Sequence, residues 1–154
     1  MKLKEFVLLV LFLFIDQITK FIVSTNLNIY EPIVVIKNFF NITYAQNTGA
    51  AWSIFEGKTI VLTIVSFVVS CAMIYWLFKN KNETKIVRFS VLLMLSGAIG
   101  NFIDRLLLGY VIDFLDFYIF GYDFPIFNIA DSLLCIGVGI LLLSTFFEKE
   151  KING

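Results

Sequence analysis

The stretch from Phe6 to Val23, which reads FVLLVLFLFIDQITKFIV, decides the fold. A bilayer core about 30 Å thick requires about 20 predominantly apolar residues in a helix. An aspartate at the centre of such a helix costs about 2.5–3.5 kcal/mol on the insertion scale, and each large aliphatic or Phe residue returns about 0.3–0.6 kcal/mol. The ten apolar residues from Phe6 to Ile15 therefore offset Asp16, Gln17 and Lys20. We predict a transmembrane helix that keeps charged residues inside the membrane.

Three further stretches meet the same criterion, at residues 59–78, 86–108 and 127–147. The chain is 59% hydrophobic and 16% charged, whereas a soluble domain is about 45–50% apolar and about 25% charged. The start of the chain resembles a secretory signal peptide, but no small-residue cleavage site follows, so we expect the first helix, about 6–23, to be retained. The sequence predicts an all-α integral membrane protein, a single membrane domain over residues 1–154 with four transmembrane helices.

The positions of Lys and Arg predict the orientation, because cytoplasmic segments near helix ends carry an excess of positive residues. Only Lys37 and Lys58 lie clearly in the two longer loops, at about 24–58 and 109–126, and we therefore place these loops outside. Both termini and the loop at 79–85 are predicted to be cytoplasmic, on the side with most of the positive residues: Lys2, Lys4, Lys79, Lys81, Lys85, Arg88, Lys149 and Lys151.

The first outer loop carries signals of local structure. The run Ile33 to Ile36 is β-branched, Phe40 to Tyr44 alternates apolar with polar residues, and Lys37-Asn38 could form the turn between them. We therefore expect a small extracytoplasmic β-sheet. Residues 50–55 include Trp52, which favours the membrane interface, and they predict an interfacial segment.

Composition excludes several function classes. The chain has no histidine, which removes Ser-His-Asp and Cys-His catalysis and the commonest metal ligand. Its formal net charge is zero, so it has no basic surface of the kind that nucleic acid requires. Cys71 and Cys135 lie in apolar runs, and we interpret them as small core residues rather than a disulfide or a catalytic thiol. The sequence predicts no cofactor, no metal and no nucleic-acid partner.

Charged and amide residues inside the predicted helices are the functional signal. Lys20 follows Asp16 by four residues, so the simplest interpretation is a local ion pair with Lys20 extending toward the membrane surface. Small residues of the third helix could serve helix packing alone. Packing does not explain an amide, an acid and a guanidinium within two turns of that helix. The polar stripe consists of Gly97, Asn101 and Arg105, with Asp104 beside them.

Two further acids flank the second outer loop. Asp113 follows the third helix between apolar neighbours, and Asp131 lies at the start of the fourth. Asn128 could cap the fourth helix with Asp131 in its first turn, where a negative charge suits the helix dipole, but capping leaves Asp113 unexplained. Two carboxylates that lie close together cannot both ionise easily. Such a pair therefore holds one shared proton. One could then take a proton from water while the other donates one, which is the chemistry of an aspartic hydrolase.

Five motifs, in this order, resemble those of the lipoprotein signal peptidase (signal peptidase II) family. The resemblance covers the chain from Asp16 to the last helix. It implies cleavage of prolipoproteins on the amino side of a diacylglyceryl-modified cysteine, in the bacterial cytoplasmic membrane with the active site toward the outer face. The motifs are Asp16-Gln17-Ile18-Thr19-Lys20, Asn47-Thr48-Gly49-Ala50-Ala51-Trp52, Gly97-Ala98-Ile99-Gly100-Asn101-Phe102-Ile103-Asp104-Arg105, Val111-Ile112-Asp113-Phe114 and Phe127-Asn128-Ile129-Ala130-Asp131.

The resemblance also implies a role for each matching residue. Asp113 and Asp131 match the catalytic pair, and Asn101, Arg105 and Asn128 match residues that line and support the site. It implies contact with membrane lipid and inhibition by a cyclic peptide of the globomycin type. Residues that match those bracing the site or contacting substrate are Asp16, Lys20, Asn47 and Gly49.

Two other functions fit an intramembrane set of polar residues. A small polytopic transporter or proton-conducting protein would use such carboxylates along an ion pathway, but transporters usually carry repeats with sites near the midplane. A non-catalytic partner subunit would use them to join helices. Here the acids gather toward the outer face, and the sequence contains no repeat. In the second outer loop, we interpret Asp116 and Asp123 as solvated.

Overall fold

A computed structural model describes residues 1–49 and 56–153. Within these residues, four helices are long and apolar enough to cross a membrane, as predicted. Their cores match the predicted spans, and the last helix continues beyond residue 147. The helices are α1 (Leu3–Asn26), α2 (Thr59–Lys79), α3 (Lys85–Leu108) and α4 (Ile129–Asn153).

The third helix lies at the centre and packs against the other three. Its inner turns bury Leu92 and Leu95, which form one apolar cluster with Leu9 of α1 and Leu77 of α2. The opposite faces of the outer helices expose large apolar side chains, and these are the surfaces that lipid covers. Cys71 and Cys135 both lie on exposed surfaces, so their interpretation as core residues is wrong.

At the predicted cytoplasmic end, Arg88 joins three helices. Its Nε and Nη2 donate to the two carboxylate oxygens of Glu5 at 2.7 and 2.8 Å, and Nη2 also donates to the carbonyl of Leu77 at 3.1 Å. A further hydrogen bond links Nη1 to the carbonyl of Asn80. The guanidinium therefore satisfies carbonyls that the end of α2 leaves unpaired. Arg88 is 2% exposed, which means that it does more than set the orientation of the chain.

The two outer loops fold together into one antiparallel sheet in the order β1-β2-β3-β4. The predicted hairpin of the first loop is present as β1 and β2. The second loop supplies β3, which begins two residues after Gly109 ends α3 in a left-handed conformation (φ 82°). The four strands are β1 (Ile33–Ile36), β2 (Phe40–Asn47), β3 (Val111–Ile119) and β4 (Tyr122–Asp123).

The sheet is fixed to the top of α1 by a second apolar cluster, in which Ile112 and Phe114 of β3 meet Val23 of α1 and Tyr44 of β2. Pairing of β2 with β3 opposes Ala45 to Asp113, so the strand register determines where this acid lies. Asp123 is exposed, but Asp116 is 4% exposed, so its interpretation as a solvated acid is wrong. The predicted interfacial segment at 50–55 lies outside the described residues.

Candidate active site

The start of α4 holds Asp131 by a reciprocal pair of hydrogen bonds. The backbone N–H of Asp131 donates to Oδ1 of Asn128 at 2.9 Å, and the backbone N–H of Asn128 donates to Oδ2 of Asp131 at 3.2 Å. This is a capping box, which satisfies helix N–H groups that have no partner within the helix. Asn101 of α3 donates its Nδ2 to Oδ1 of Asp131 at 2.7 Å. The cap expected for Asn128 is present, and it fixes the direction of the Asp131 carboxylate.

The same Asn128 also holds Asp113. Its Nδ2 lies 2.7 Å from Oδ1 of Asp113, and Nδ2 of Asn47 donates to Oδ2 of Asp113 at 2.9 Å. Asn128 is fully buried and Asp113 is 2% exposed, whereas Asp131 is partly open to solvent. One asparagine therefore bonds to both acids, which brings β3 and the start of α4 together. The predicted convergence of Asp113 and Asp131 is what the geometry shows.

The surroundings of Asp113 favour its protonated form. Burial raises its pKa from the ordinary value of 3.8 to about 7, and the negative charge of Asp131 acts in the same direction. Hydrogen bonds from Asn47 and Asn128 and the positive charge of Lys20 oppose the rise. Since desolvation outweighs these hydrogen bonds, Asp113 can hold a proton near neutral pH.

A buried ion cluster lies directly below the two acids. Nζ of Lys20 is 3.0 Å from Oδ2 of Asp16 and 3.0 Å from Oδ2 of Asp104, and it donates to Oδ1 of Asn101 at 3.1 Å. Lys20 is 1% exposed, so it does not extend to the membrane surface as its simplest interpretation supposed. Because the ammonium also bonds to Asn101, whose amide donates to Asp131, the cluster is continuous with the acid pair.

Each carboxylate of the ion cluster also orients backbone near the acid pair. Asp16 accepts a hydrogen bond from the backbone N–H of Ala130 at 2.9 Å, one residue before Asp131. Asp104 accepts one from the backbone N–H of Ile112 at 3.1 Å, one residue before Asp113. Both acids of the candidate dyad are therefore preceded by a residue that α1 or α3 holds in place.

Gln17 is the site residue that sequence reasoning missed. Its Nε2 lies 3.1 Å from Oδ2 of Asp16 and 3.1 Å from Oδ1 of Asp104, and 3.3 Å from the carbonyl of Gly100. The signal was an amide inside a membrane span, beside Asp16 and three residues before Lys20. Such a group requires a polar partner where no water is available.

Two glycines allow α3 to approach α1 and α4 closely. A Cβ at Gly97 would lie 2.2 Å from the carbonyl oxygen of Ala130, and one at Gly100 would lie 2.6 Å from Oδ2 of Asp16. Both separations are far below van der Waals contact. The small residues therefore do serve packing, as one interpretation held, and this packing is what brings the polar groups of three helices together.

Arg105 lies at the outer end of the polar stripe. Its Nη2 donates to the carbonyl of Gly49 at 3.1 Å, and Gly49 in turn donates its N–H to Asn47 at 2.9 Å. Its Nε is buried and has no hydrogen-bond partner among the described residues. The guanidinium is close enough to Asp113 and Asp131 to interact with their charges. This Nε–H is therefore a donor that no described residue uses.

All ten predicted site residues thus belong to one connected network, made of four buried or partly buried carboxylates, two cations and four amide or backbone groups. The network is deficient in positive charge, which favours one retained proton. In the part of the chain that the structure describes, no three acidic or cysteine side chains lie together as metal ligands would. The ten residues are Asp16, Lys20, Asn47, Gly49, Asn101, Asp104, Arg105, Asp113, Asn128 and Asp131.

Comparison with known proteins agrees with this architecture. A family model described as signal peptidase (SPase) II matches residues 8–147. Lipoprotein signal peptidases of Staphylococcus aureus strains JH9 and Newman are each 44% identical over 140 residues, which is 88% of this chain and 86% of theirs.

Two solved structures of bacterial membrane enzymes, both determined by the in meso method, share the fold. One, at 2.3 Å resolution, is 40% identical with a TM-score of 0.90, and the match covers 96% of this chain and 90% of that one. The other, at 1.9 Å resolution, is 42% identical with a TM-score of 0.83 over 92% of each chain.

Proposed function

The chain belongs to the signal peptidase II family, and from this premise we propose that Asp113 and Asp131 catalyse its reaction as an aspartic dyad. Membership makes the chain a bacterial membrane protease that removes signal peptides from prolipoproteins. The proposal adds that cleavage occurs on the amino side of a diacylglyceryl-modified cysteine. The observation that carries it is Asn128, which bonds to both carboxylates at one point of the fold.

The proposed reaction is hydrolysis by a positioned water molecule. Asp131, which is partly accessible, is the ionised member in this proposal, and it takes a proton from the water as the water oxygen attacks the scissile carbonyl carbon. Asp113 donates its proton to the carbonyl oxygen, which gives a neutral tetrahedral intermediate. When the C–N bond breaks, the proton on Asp131 passes to the leaving nitrogen, and Asp113 recovers its own proton from the intermediate. The dyad thus returns to its starting state with one proton.

The polar network suits this role better than the alternatives. A proton pathway requires groups at successive depths, whereas the described network converges on one point beside the outer sheet. A polar joint between helices does not require Asp113, because that acid lies on a strand and accepts from two asparagines. Neither alternative is favoured by the family that the chain belongs to.

The dependence of cleavage on pH tests the proposal. The assay uses purified protein in detergent and a precursor with a diacylglyceryl-modified cysteine. We expect the rate to fall as the pH rises through about 7, because Asp113 then loses the proton that it must donate. Asn47→Ala removes a hydrogen bond that stabilises the ionised carboxylate, so the pKa of Asp113 rises and the alkaline limb moves to higher pH. If Asn47→Ala does not shift the pH at which the cleavage rate falls, the assignment of Asp113 as the proton donor is contradicted.

Arg105→Lys tests whether the unused donor contacts substrate. We propose that the guanidinium holds a carbonyl or ester oxygen of the substrate while it stays bonded to Gly49, which the compact ammonium of lysine cannot reproduce. We expect kcat/KM to fall by about tenfold or more, at the scale of one charge-assisted hydrogen bond. Arg88→Lys is the matched comparison. Arg88→Lys loses the two parallel hydrogen bonds to the Glu5 carboxylate, so we expect it to lower the melting temperature without raising KM. Equal, small effects of both changes on KM would contradict the proposal.

We also propose that both termini are cytoplasmic and that the acid pair faces outward. The support is the concentration of positive residues at the end of the bundle opposite to the sheet. In intact cells, Lys37→Cys on the outer hairpin should react with a membrane-impermeant thiol reagent, whereas Lys81→Cys should react only after permeabilisation. Both side chains are exposed, so the opposite pattern would reverse the orientation.

The binding sites of the substrate's lipid group and of the inhibitor are further predictions. We propose that the diacylglyceryl group lies against the lipid-facing helices beside Asp131, and that a cyclic peptide of the globomycin type competes for this place. The expected result is an inhibitor that raises KM without lowering kcat. A purely non-competitive effect on the lipidated precursor would place the inhibitor elsewhere.

A further inference from the structure

The outer sheet carries a cavity that the proposed reaction does not use. Its volume is about 350 Å³, and it lies where the chain leading into β1 meets β3, β4 and the residues after β4. Along β3, successive side chains point to opposite faces of the sheet. Asp116, three residues after Asp113, therefore faces away from the acid pair. The lining residues with an oxygen in the side chain are Tyr30, Thr43, Asp116, Tyr118, Tyr122 and Asp123.

Asp116 is a buried carboxylate with an unused oxygen. Its Oδ2 accepts from the hydroxyl of Thr43 at 2.6 Å and from Nδ2 of Asn41 at 3.3 Å. Its Oδ1 is buried and has no hydrogen-bond partner among the described residues, and no lysine or arginine of that part of the chain pairs with it. A buried acceptor without a donor is unfavourable, and more so when it is charged. The cavity therefore presents an acceptor for a cationic donor.

The remaining lining indicates what kind of cation fits. Asp123 adds a second carboxylate, and the charges of Asp116 and Asp123 both raise the pKa of Tyr118. Calcium requires six to eight oxygen ligands, more than two carboxylates and a hydroxyl can offer, and a cavity of this volume exceeds a bare ion. Aromatic rings beside a carboxylate instead suit an organic ammonium, which attracts the face of a tyrosine ring.

The position of the cavity indicates where the ammonium comes from. Pro32, which lines the cavity, is followed by the edge strand β1. All four β1 side chains are exposed by half or more, although each is aliphatic. Beyond the end of a transmembrane helix, such an edge is stable where it rests in the lipid interface. The cavity then opens at the level of the phospholipid headgroups.

We propose that this cavity binds the primary ammonium of an aminophospholipid headgroup, with Asp116 as its anion and Tyr118 as an aromatic wall. Binding at this place would fix the tilt of the sheet on the membrane. The strand β3 carries both Asp113 and Asp116, so the proposed lipid contact and the proposed catalytic acid lie on the same strand. Lipid binding in this cavity does not require Asp113 and Asp131 to be the catalytic pair.

Lipid retention provides the test. Wild-type protein is taken from nanodiscs with equal amounts of phosphatidylethanolamine and phosphatidylglycerol, and the lipids that remain bound are counted by native mass spectrometry. We expect about a tenfold preference for the ethanolamine lipid, equivalent to about 1.4 kcal/mol. Asp116→Asn should abolish the preference. Glu31→Gln, which removes an exposed acid on the same side of the protein, should retain it.

Two further arms make the result decisive. If Asp116→Asn does not fold, Tyr118→Leu decides, because this half-buried side chain can change without removing a buried hydrogen bond, and it should reduce the preference severalfold. Free ethanolamine is added at millimolar concentration as a competitor. Displacement by ethanolamine without any lipid preference would assign the site to a soluble amine and overturn the proposal. Equal retention of both lipids by wild type and variants would overturn it as well.

Discussion

Asp113→Asn and Asp131→Asn are each expected to reduce cleavage of a lipidated precursor by about 10³-fold or more. An amide cannot take a proton from water, and it cannot pass the proton of a carboxylic acid to a carbonyl oxygen. The fold should survive, because an amide oxygen can still accept from Asn101 or Asn128. Because the two acids act as a unit, the double variant should be little slower than either single variant.

Three measurements make this expectation specific. Glu31→Gln removes an exposed acid on the same side and should leave turnover unchanged. The melting temperature in detergent should show that both Asn variants remain folded. The lipidated precursor should bind to either variant with an affinity close to that of wild type, since the substitutions change chemistry rather than shape. Near-normal turnover by one of the two variants would rule out the dyad.

The membrane part of the fold follows from local sequence. Each span is long enough that hydropathy alone decides its existence, even the first, where four polar residues interrupt the apolar run. The hairpin β1–β2 was also predictable from local sequence, since its strands are adjacent, β1 is β-branched and Phe40 to Tyr44 of β2 alternates apolar with polar residues. The strand β3 was not predictable from local sequence. Its main partner β2 is more than sixty residues away, and pairing over that distance leaves no local signal in the sequence.

The site was predictable as a set of residues but not as a geometry. Asp16, Asn101 and Asp131 are conspicuous because a polar group inside a membrane span requires a reason. Their partners depend on how close the helices come, which Gly97 and Gly100 determine and which no single motif reveals. The interpretation of Asp116 as a solvated acid was wrong for a similar reason. Its burial depends on Thr43 of a strand that the second loop meets only after folding.

Lys20→Met is expected to prevent accumulation of folded protein, or to reduce stability by about 3–5 kcal/mol, the scale for removing one partner of a buried ion pair. The ammonium lies within 3.0 Å of both Asp16 and Asp104, and all three side chains are almost fully buried. Without it, two carboxylates remain in a medium that penalises unpaired charge. Any protein that folds should also show its alkaline limb at higher pH, because the charge of Lys20 lowers the pKa of Asp113.

A neutralised cluster separates the charge of Lys20 from its shape. Lys20→Met combined with Asp16→Asn and Asp104→Asn removes the cation and both of its anions, and an amide oxygen can still accept from Ala130 and Ile112. Replacing a whole buried ion cluster by neutral groups is often tolerated, so the triple variant should recover most of the melting temperature that Lys20→Met loses. Lys37→Met, at an exposed lysine, should change nothing. Activity of the triple variant should remain low, because Asn101 has lost the ammonium that fixes its amide toward Asp131. If the triple variant is no more stable than Lys20→Met, then the lysine contributes packing rather than charge, and the coupling drawn between the ion cluster and the dyad is wrong.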